Sequence, residues 1–371
     1  MKTLSLVRWV AMVLMATTAW PLAAQVKTEV PAPVAGAKPV TAERIKVHGA
    51  ALEGNLGGEA VDRDVIVFLP PGYAADQQRR YPVLYALHGY SIGAEQWTQE
   101  IHVPQTIEGA FARGAAPMIV VLPDSKTWYG GSIYSSSATV GDFEKFVSRD
   151  LVAYVDSHYR TIPDRNARGL AGHSMGGQGT TRIGMKHPDV FGSLYIMSPG
   201  LLLPHPAELP NMGSGANPEA DQKAFEAAVK AMKSPKDTAN LSLAGRAQLA
   251  VAAAWSPNPK KPPLFLDLPL MNDKTDATVL AKWAANAPLA FIDQYVGNLR
   301  QYRAIGLDVG DQDPGLNESK ALKAALDSYD IPVAFEIYRG THTSAVADRF
   351  QNHVMPFFGK NLCQKATCSP K

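Results

Sequence analysis

Arg168 to Gly177 reads RGLAGHSMGG. The apolar run Gly169 to Ala171 leads into Gly172-His173-Ser174-Met175-Gly176-Gly177, and a helix-compatible segment, Gln178 to His187, follows. As local structure this is a strand, a sharp turn and a helix, with a serine at the turn. Glycines on both sides of that serine let the two backbones pass closely enough for a strained turn that lifts the hydroxyl off a sheet. Ser174 is therefore a candidate nucleophile. A purely structural turn can be spelled the same way, so the rest of the chain has to decide.

Upstream, strand patterns cover Arg44 to Val47 and Asp64 to Leu69, the second stopped by Pro70-Pro71-Gly72. Val83 to Leu87 is a further apolar run that ends abruptly in His88-Gly89-Tyr90. A strand ending in this way can offer a backbone N–H to a developing negative charge, and the residue after a turn serine offers a second, so Tyr90 and Met175 are the candidate donors. His88 reads as a structural imidazole holding the loop. A helix around Val103 to Arg113 and a strand from Met118 to Leu122 come next. The loop SKTWYGGSIYSSS that follows is rich in aromatics, glycine and serine. Loops at the ends of parallel strands surround sites, which makes Trp128, Tyr129 and Tyr134 candidate substrate contacts, with an ordinary exposed loop as the alternative.

Gly141 to Tyr159 has helical spacing, and Ser193 to Ser198 is the strand after the Ser174 unit. Alternating strands and helices imply a mostly parallel sheet covered on both faces by helices. The rhythm breaks between about 200 and 290, where helical stretches at Ala220 to Met232, Leu243 to Ala254 and Thr275 to Ala287 suggest a cap insertion. It resumes with strand Arg303 to Val309, helix Asn317 to Tyr329, strand Val333 to Tyr338 and a closing helix from Ser344 to Phe357.

A serine alcohol needs a base in hydrogen-bond reach, and the base needs a partner that fixes its tautomer. His342 follows the last strand in Gly340-Thr341-His342. Among the other histidines, His173 is the variable position in the turn, and His158 and His187 end helices. His48 and His102 have no motif around them, His205 is in the cap, and His353 lies inside the final helix. For the acid, Asp308 is still in its strand. Asp311 and Asp313 are in the loop after it; Asp313 is favoured over Asp311, which reads as a turn former. Serine, acid, histidine on successive strand ends is the α/β-hydrolase order, and Gly-x-Ser-x-Gly is its nucleophile elbow.

These stretches resemble the putative-esterase family of α/β hydrolases, which includes feruloyl and acetyl-xylan esterases, enterochelin esterases, S-formylglutathione hydrolases and the mycobacterial antigen 85 mycolyltransferases. The resemblance is carried by VFLPPGY at 67–73, PVLYALHG at 82–89, FVSRDLVAYVDSHYRT at 146–161 and RGLAGHSMGGQG at 168–179. KHPDVFGSLYIMSPG at 186–200, GDQD at 310–313 and GTH at 340–342 complete it. It implies Ser174 as nucleophile, Asp313 as acid, His342 as base, and Tyr90 with Met175 as the oxyanion hole. The expected activity is carboxylesterase, on feruloyl or acetyl esters of polysaccharide or on small esters. An acyltransferase using the same triad and a non-catalytic binding protein on this fold are the alternatives.

Composition bounds the rest. The chain has 371 residues, 46% hydrophobic and 19% charged, enough for a large core. Residues 1–24 carry Lys2, Arg8, a short apolar stretch and a small-residue end, the pattern of a signal peptide. Their removal leaves 34 basic against 34 acidic side chains, so no electrostatic case for nucleic acid or an anionic membrane exists. A periplasmic or secreted protein with no stable membrane anchor is expected. Residues 25–41 read as a flexible leader, 42–360 as the catalytic domain with its 200–290 cap, and 361–371 as a tail. Cys363 and Cys368 suit a small disulfide in an oxidising compartment; two thiols without a nearby histidine make a poor zinc site, so neither metal nor cofactor is expected.

Overall fold

A computed structural model describes residues 28–203 and 218–365. Eight strands form one sheet: β1 Thr41–His48, β2 Asp62–Leu69, β3 Val83–Leu87, β4 Ile119–Pro123, β5 Arg168–His173, β6 Ser193–Met197, β7 Ala304–Gly310 and β8 Ala334–Tyr338. Their spatial order is β1-β2-β4-β3-β5-β6-β7-β8. β1 pairs antiparallel with β2 and β2 with β4; every other pairing is parallel.

Local composition explains the layout. All residues of β3, β4, β5 and β6 are buried, as continuous apolar runs must be when helices cover both faces of a parallel sheet. β1 and β8 are edges, and their alternation of exposed and half-buried residues reflects it. The chain runs from β3 to β4 on one side and reaches β5 on the other. The carboxyl ends of β3 and β5 therefore flank a topological switch point, where open α/β sheets leave a crevice for ligands.

The nucleophile-side helix spans Met175–Lys186 and begins three residues earlier than the sequence spacing suggests. The expected helices at 141–159 and 344–357 each carry a π turn, Phe146–Asp150 and Phe350–Val354, between α-helical pieces. A short helix at Ala94–Glu100 escapes the periodicity because Trp97 is its one large apolar residue.

Three longer helices, Pro218–Ala231, Leu243–Trp255 and Ala277–Asn286, build the insertion. Leu249 to Trp255 and Trp283 are buried in the same apolar cluster as β3, β5 and β7 side chains, so the insertion shares the core of the sheet. Hydrogen bonds add to the join: Trp255 Nε1 donates to Ser135 Oγ at 3.0 Å and Arg182 Nη1 to the Asn286 carbonyl at 2.9 Å.

The leader differs from expectation over its described part. Val30 and Val40 pack against the apolar layer under the sheet. Glu29 N donates to the Ser344 carbonyl at 2.7 Å, Gln105 Nε2 to the Pro31 carbonyl at 2.7 Å, and Val40 N to Glu108 Oε1 at 3.0 Å. The described leader is thus tied to the body near both ends, at 28–31 and at Val40, with a turn at Ala35–Gly36 and exposed prolines between. Residues 1–24 and Cys368 lie outside the described residues; Cys363 is disulfide-bonded. Among the described residues no helix is long and apolar enough to cross a membrane.

Candidate active site

The elbow forms where β5 meets the helix after it. Ser174 has φ 59° and ψ −115°, in left-handed space that a non-glycine residue enters only when its surroundings enforce it. The enforcement comes from backbone crowding. A Cβ on Gly176 would fall on the Leu87 carbonyl, and one on Gly172 on the Gly176 backbone. Ser174 N donates to the Met197 carbonyl of β6 at 3.0 Å, which fixes the turn from the other side.

His342 Nε2 lies 2.8 Å from Ser174 Oγ, and His342 Nδ1 lies 3.0 Å from both carboxylate oxygens of Asp313. Ser174, His342 and Asp313 follow β5, β8 and β7; β7 and β8 are neighbours, and β6 lies between them and β5. The Asp313 side chain is fully buried. Burial pushes its carboxyl up, but the hydrogen bond and charge of His342, the Gly315 N–H at 2.7 Å and the Ser198 hydroxyl outweigh it and hold Asp313 below the usual carboxylate range. Asp311 does something else: its Oδ1 accepts from Gly340 N at 2.9 Å, tying the β7 loop to the loop that carries His342.

Tyr90 and Met175 line the same cavity as Ser174 and His342. Neither backbone N–H makes a hydrogen bond among the described residues, and Met175 is the first residue of its helix, where donors are orphaned by geometry. Gly130 and Gly131 press on this pair. A Cβ on Gly131 would stand 2.5 Å from Met175 Sδ and 2.9 Å from the Tyr90 ring. Behind them, His88 is buried; its Nδ1 faces the Gly89 carbonyl at 2.8 Å and its Nε2 accepts from Ser125 N at 2.9 Å.

The cavity over Ser174 encloses about 590 Å³. Its walls are largely apolar, with Ile133 from the body, Leu201 and Leu203 from the start of the insertion and Val251 and Trp283 from the cap helices; Glu318 is among the polar lining residues. Trp128, Tyr129 and Tyr134, expected as substrate contacts, do not line it. Tyr129 and Tyr134 have no exposed surface. Tyr129 OH donates to the Leu264 carbonyl of the cap at 2.8 Å, and Tyr134 OH to the His88 carbonyl at 3.2 Å. Trp128 is 39% exposed, but its Nε1 donates to the Gly58 carbonyl and Lys236 Nζ sits 4.8 Å from its ring. The aromatic loop is thus the bracket between sheet and cap. The cap-helix residues that do line the cavity, Ala247, Gln248, Val251 and Trp283, carry no motif and occupy ordinary helix positions.

Two histidines stand together at the centre. His173 Nε2 is 2.8 Å from the His342 carbonyl oxygen, with the two rings 4.9 Å apart. Among the described residues no group of His, Cys, Asp and Glu could hold a metal ion.

A serine on a strained strand-to-helix elbow, paired with a histidine and a buried aspartate from the ends of two later strands of the same parallel sheet, defines the α/β-hydrolase class. Within that class the chain belongs to the putative esterase family, whose profile matches residues 60–356. It is 32% identical over 175 residues to an endo-1,4-beta-xylanase/feruloyl esterase of Xylanibacter ruminicola, a match covering 43% of this chain and 24% of that protein. To an esterase of Mycobacterium tuberculosis it is 30% identical over 131 residues, covering 35% and 27% respectively. The matched stretches thus span about a quarter of these curated relatives. A solved ferulic acid esterase has the same fold with a TM-score of 0.56 at 22% identity, covering 87% of this chain and 99% of that one. An S-formylglutathione hydrolase from Staphylococcus aureus gives 0.55 at 14%, covering 86% and 98%.

Proposed function

We propose that this protein is an exported serine carboxylesterase that works through an acyl-enzyme on Ser174. The observation that carries the reading is the unbroken chain Ser174 Oγ, His342 imidazole, Asp313 carboxylate. Asp313 holds the proton of His342 on Nδ1, leaving Nε2 to accept the Ser174 proton as Oγ attacks the ester carbonyl. The Tyr90 and Met175 N–H groups receive the oxyanion. The imidazolium then protonates the leaving alcohol, and water deacylates Ser174 by the same route.

The apolar cavity supports an acyl group larger than acetyl, and the feruloyl esterase activity named for the Xylanibacter ruminicola relative supports an aromatic one. Export is supported by the sequence of residues 1–24 and by the disulfide at Cys363. The test is hydrolysis by the purified protein of p-nitrophenyl esters from acetate to octanoate and of methyl ferulate, with a fluorophosphonate probe reporting Ser174. No hydrolysis of any of these esters would overturn the esterase reading. Acyl transfer to an added alcohol without release of acid would point to a transferase.

A further inference from the structure

We infer that His173, the residue before the nucleophile, is a positioning residue for the base: its Nε2–H holds the main chain of His342 and sets where the imidazole stands over Ser174. The inference rests on the triad reading above.

A carbonyl oxygen only accepts, so the 2.8 Å contact requires the hydrogen of His173 to be on Nε2. It is the one hydrogen bond to the His342 main chain among the described residues. Other ties on that loop fall to either side: Gly340 N to Asp311 Oδ1, and Thr341 N to Ser344 Oγ at 2.9 Å. His173 is 3% exposed and ends β5, a fully buried strand, so its ring has no freedom to leave. The same strand end that presents Ser174 therefore also holds the base, and one residue sets the distance between them.

The chemistry of the ring suits this task. Burial, reinforced by the neighbouring His342, pushes His173 down to about 3. It stays neutral wherever the base works and does not compete for the serine proton. Its contact with His342, rings 4.9 Å apart and inclined by 43°, would be repulsive if both carried charge.

The test uses His173→Gln, His173→Asn and His173→Leu. A glutamine amide reaches the position of Nε2; asparagine is polar but too short, and leucine fills space without a donor. Two readouts are needed: kcat and KM on the best ester, and the rate at which a fluorophosphonate captures Ser174. Displacing a base by a fraction of an ångström costs on the order of tenfold to a hundredfold. That loss is expected in kcat and in capture rate for the asparagine and leucine variants, with KM close to wild type and most of it recovered in His173→Gln. Should leucine fail to fold, the asparagine–glutamine contrast decides. Equal losses in all three variants, or wild-type rates in all three, would overturn the inference. Capture without hydrolysis of any ester by the wild type would defeat the esterase reading while leaving the His173 contrast measurable.

Discussion

Ser174 Oγ and His342 Nε2 stand 2.8 Å apart although 168 residues separate them in the chain. Nothing local brings them together; the parallel sheet does, by ending β5 and β8 at the same crevice. Ser174→Ala removes the oxygen that would be acylated. Ester hydrolysis is expected to fall roughly a millionfold in kcat, with fluorophosphonate labelling lost. Intact labelling of that variant would move the nucleophile elsewhere.

Asp313 and Asp311 make a discriminating pair. Asp313→Asn puts an amide where a buried carboxylate faces Nδ1, so half of its hydrogen-bonding surface meets the imidazole with the wrong polarity. The expected loss in kcat is about 10⁴-fold. Asp311→Asn retains an oxygen for Gly340 N and should cost less than about tenfold. Steady-state kinetics on one ester check both, and the reverse ranking would reassign the acid.

Glu59 gives a pH dependence of known sign. Its carboxyl is 6% exposed and accepts from Trp128 N at 2.8 Å. Burial pushes it up to about 7, against the Trp128 hydrogen bond and the Arg63 charge. The native state therefore holds a proton that the unfolded chain releases near its ordinary value of 4.5. The stability this contributes is complete below that value and is lost as pH rises through 7, amounting to at most about 3 kcal/mol. Glu59→Gln keeps the acceptor but cannot ionise. Thermal unfolding at pH 5 and pH 8 should show a larger fall for the wild type than for the variant. Identical falls would place the proton elsewhere.

Much of the site is legible in the sequence because its signals are local or ordered along the chain. Apolar runs mark β3, β4 and β6, glycines mark the elbow, and the order of Ser174, Asp313 and His342 follows strand order. What escapes depends on contacts between distant segments. Trp128, Tyr129 and Tyr134 sit among glycines and serines, the composition of an exposed loop, yet Tyr129 reaches the cap at Leu264 and Tyr134 packs inward against His88. His173 has the same difficulty in another form: its partner is a main-chain carbonyl, which leaves no trace in side-chain patterns. Val251 and Trp283 line the cavity from helices whose spacing says only that one face is apolar.

The bracket role of Tyr129 separates stability from catalysis. Tyr129→Phe removes the hydroxyl that satisfies the Leu264 carbonyl and leaves that oxygen unpaired under the cap. The expected cost is about 1–3 kcal/mol, seen as a fall in unfolding temperature of several degrees. kcat/KM on small esters should stay within about twofold, since the ring remains in place and touches no reacting atom. A contact that orders the acyl group would behave in the opposite way, raising KM with the unfolding temperature unchanged. Val251→Trp complements it from inside the cavity. The larger ring occupies space that a long or aromatic acyl group needs while leaving Ser174 open to acetate, so the octanoate-to-acetate ratio of kcat/KM should fall by at least about tenfold. An unchanged ratio would mean that the acyl chain leaves Ser174 by another path and that the apolar walls serve the alcohol instead.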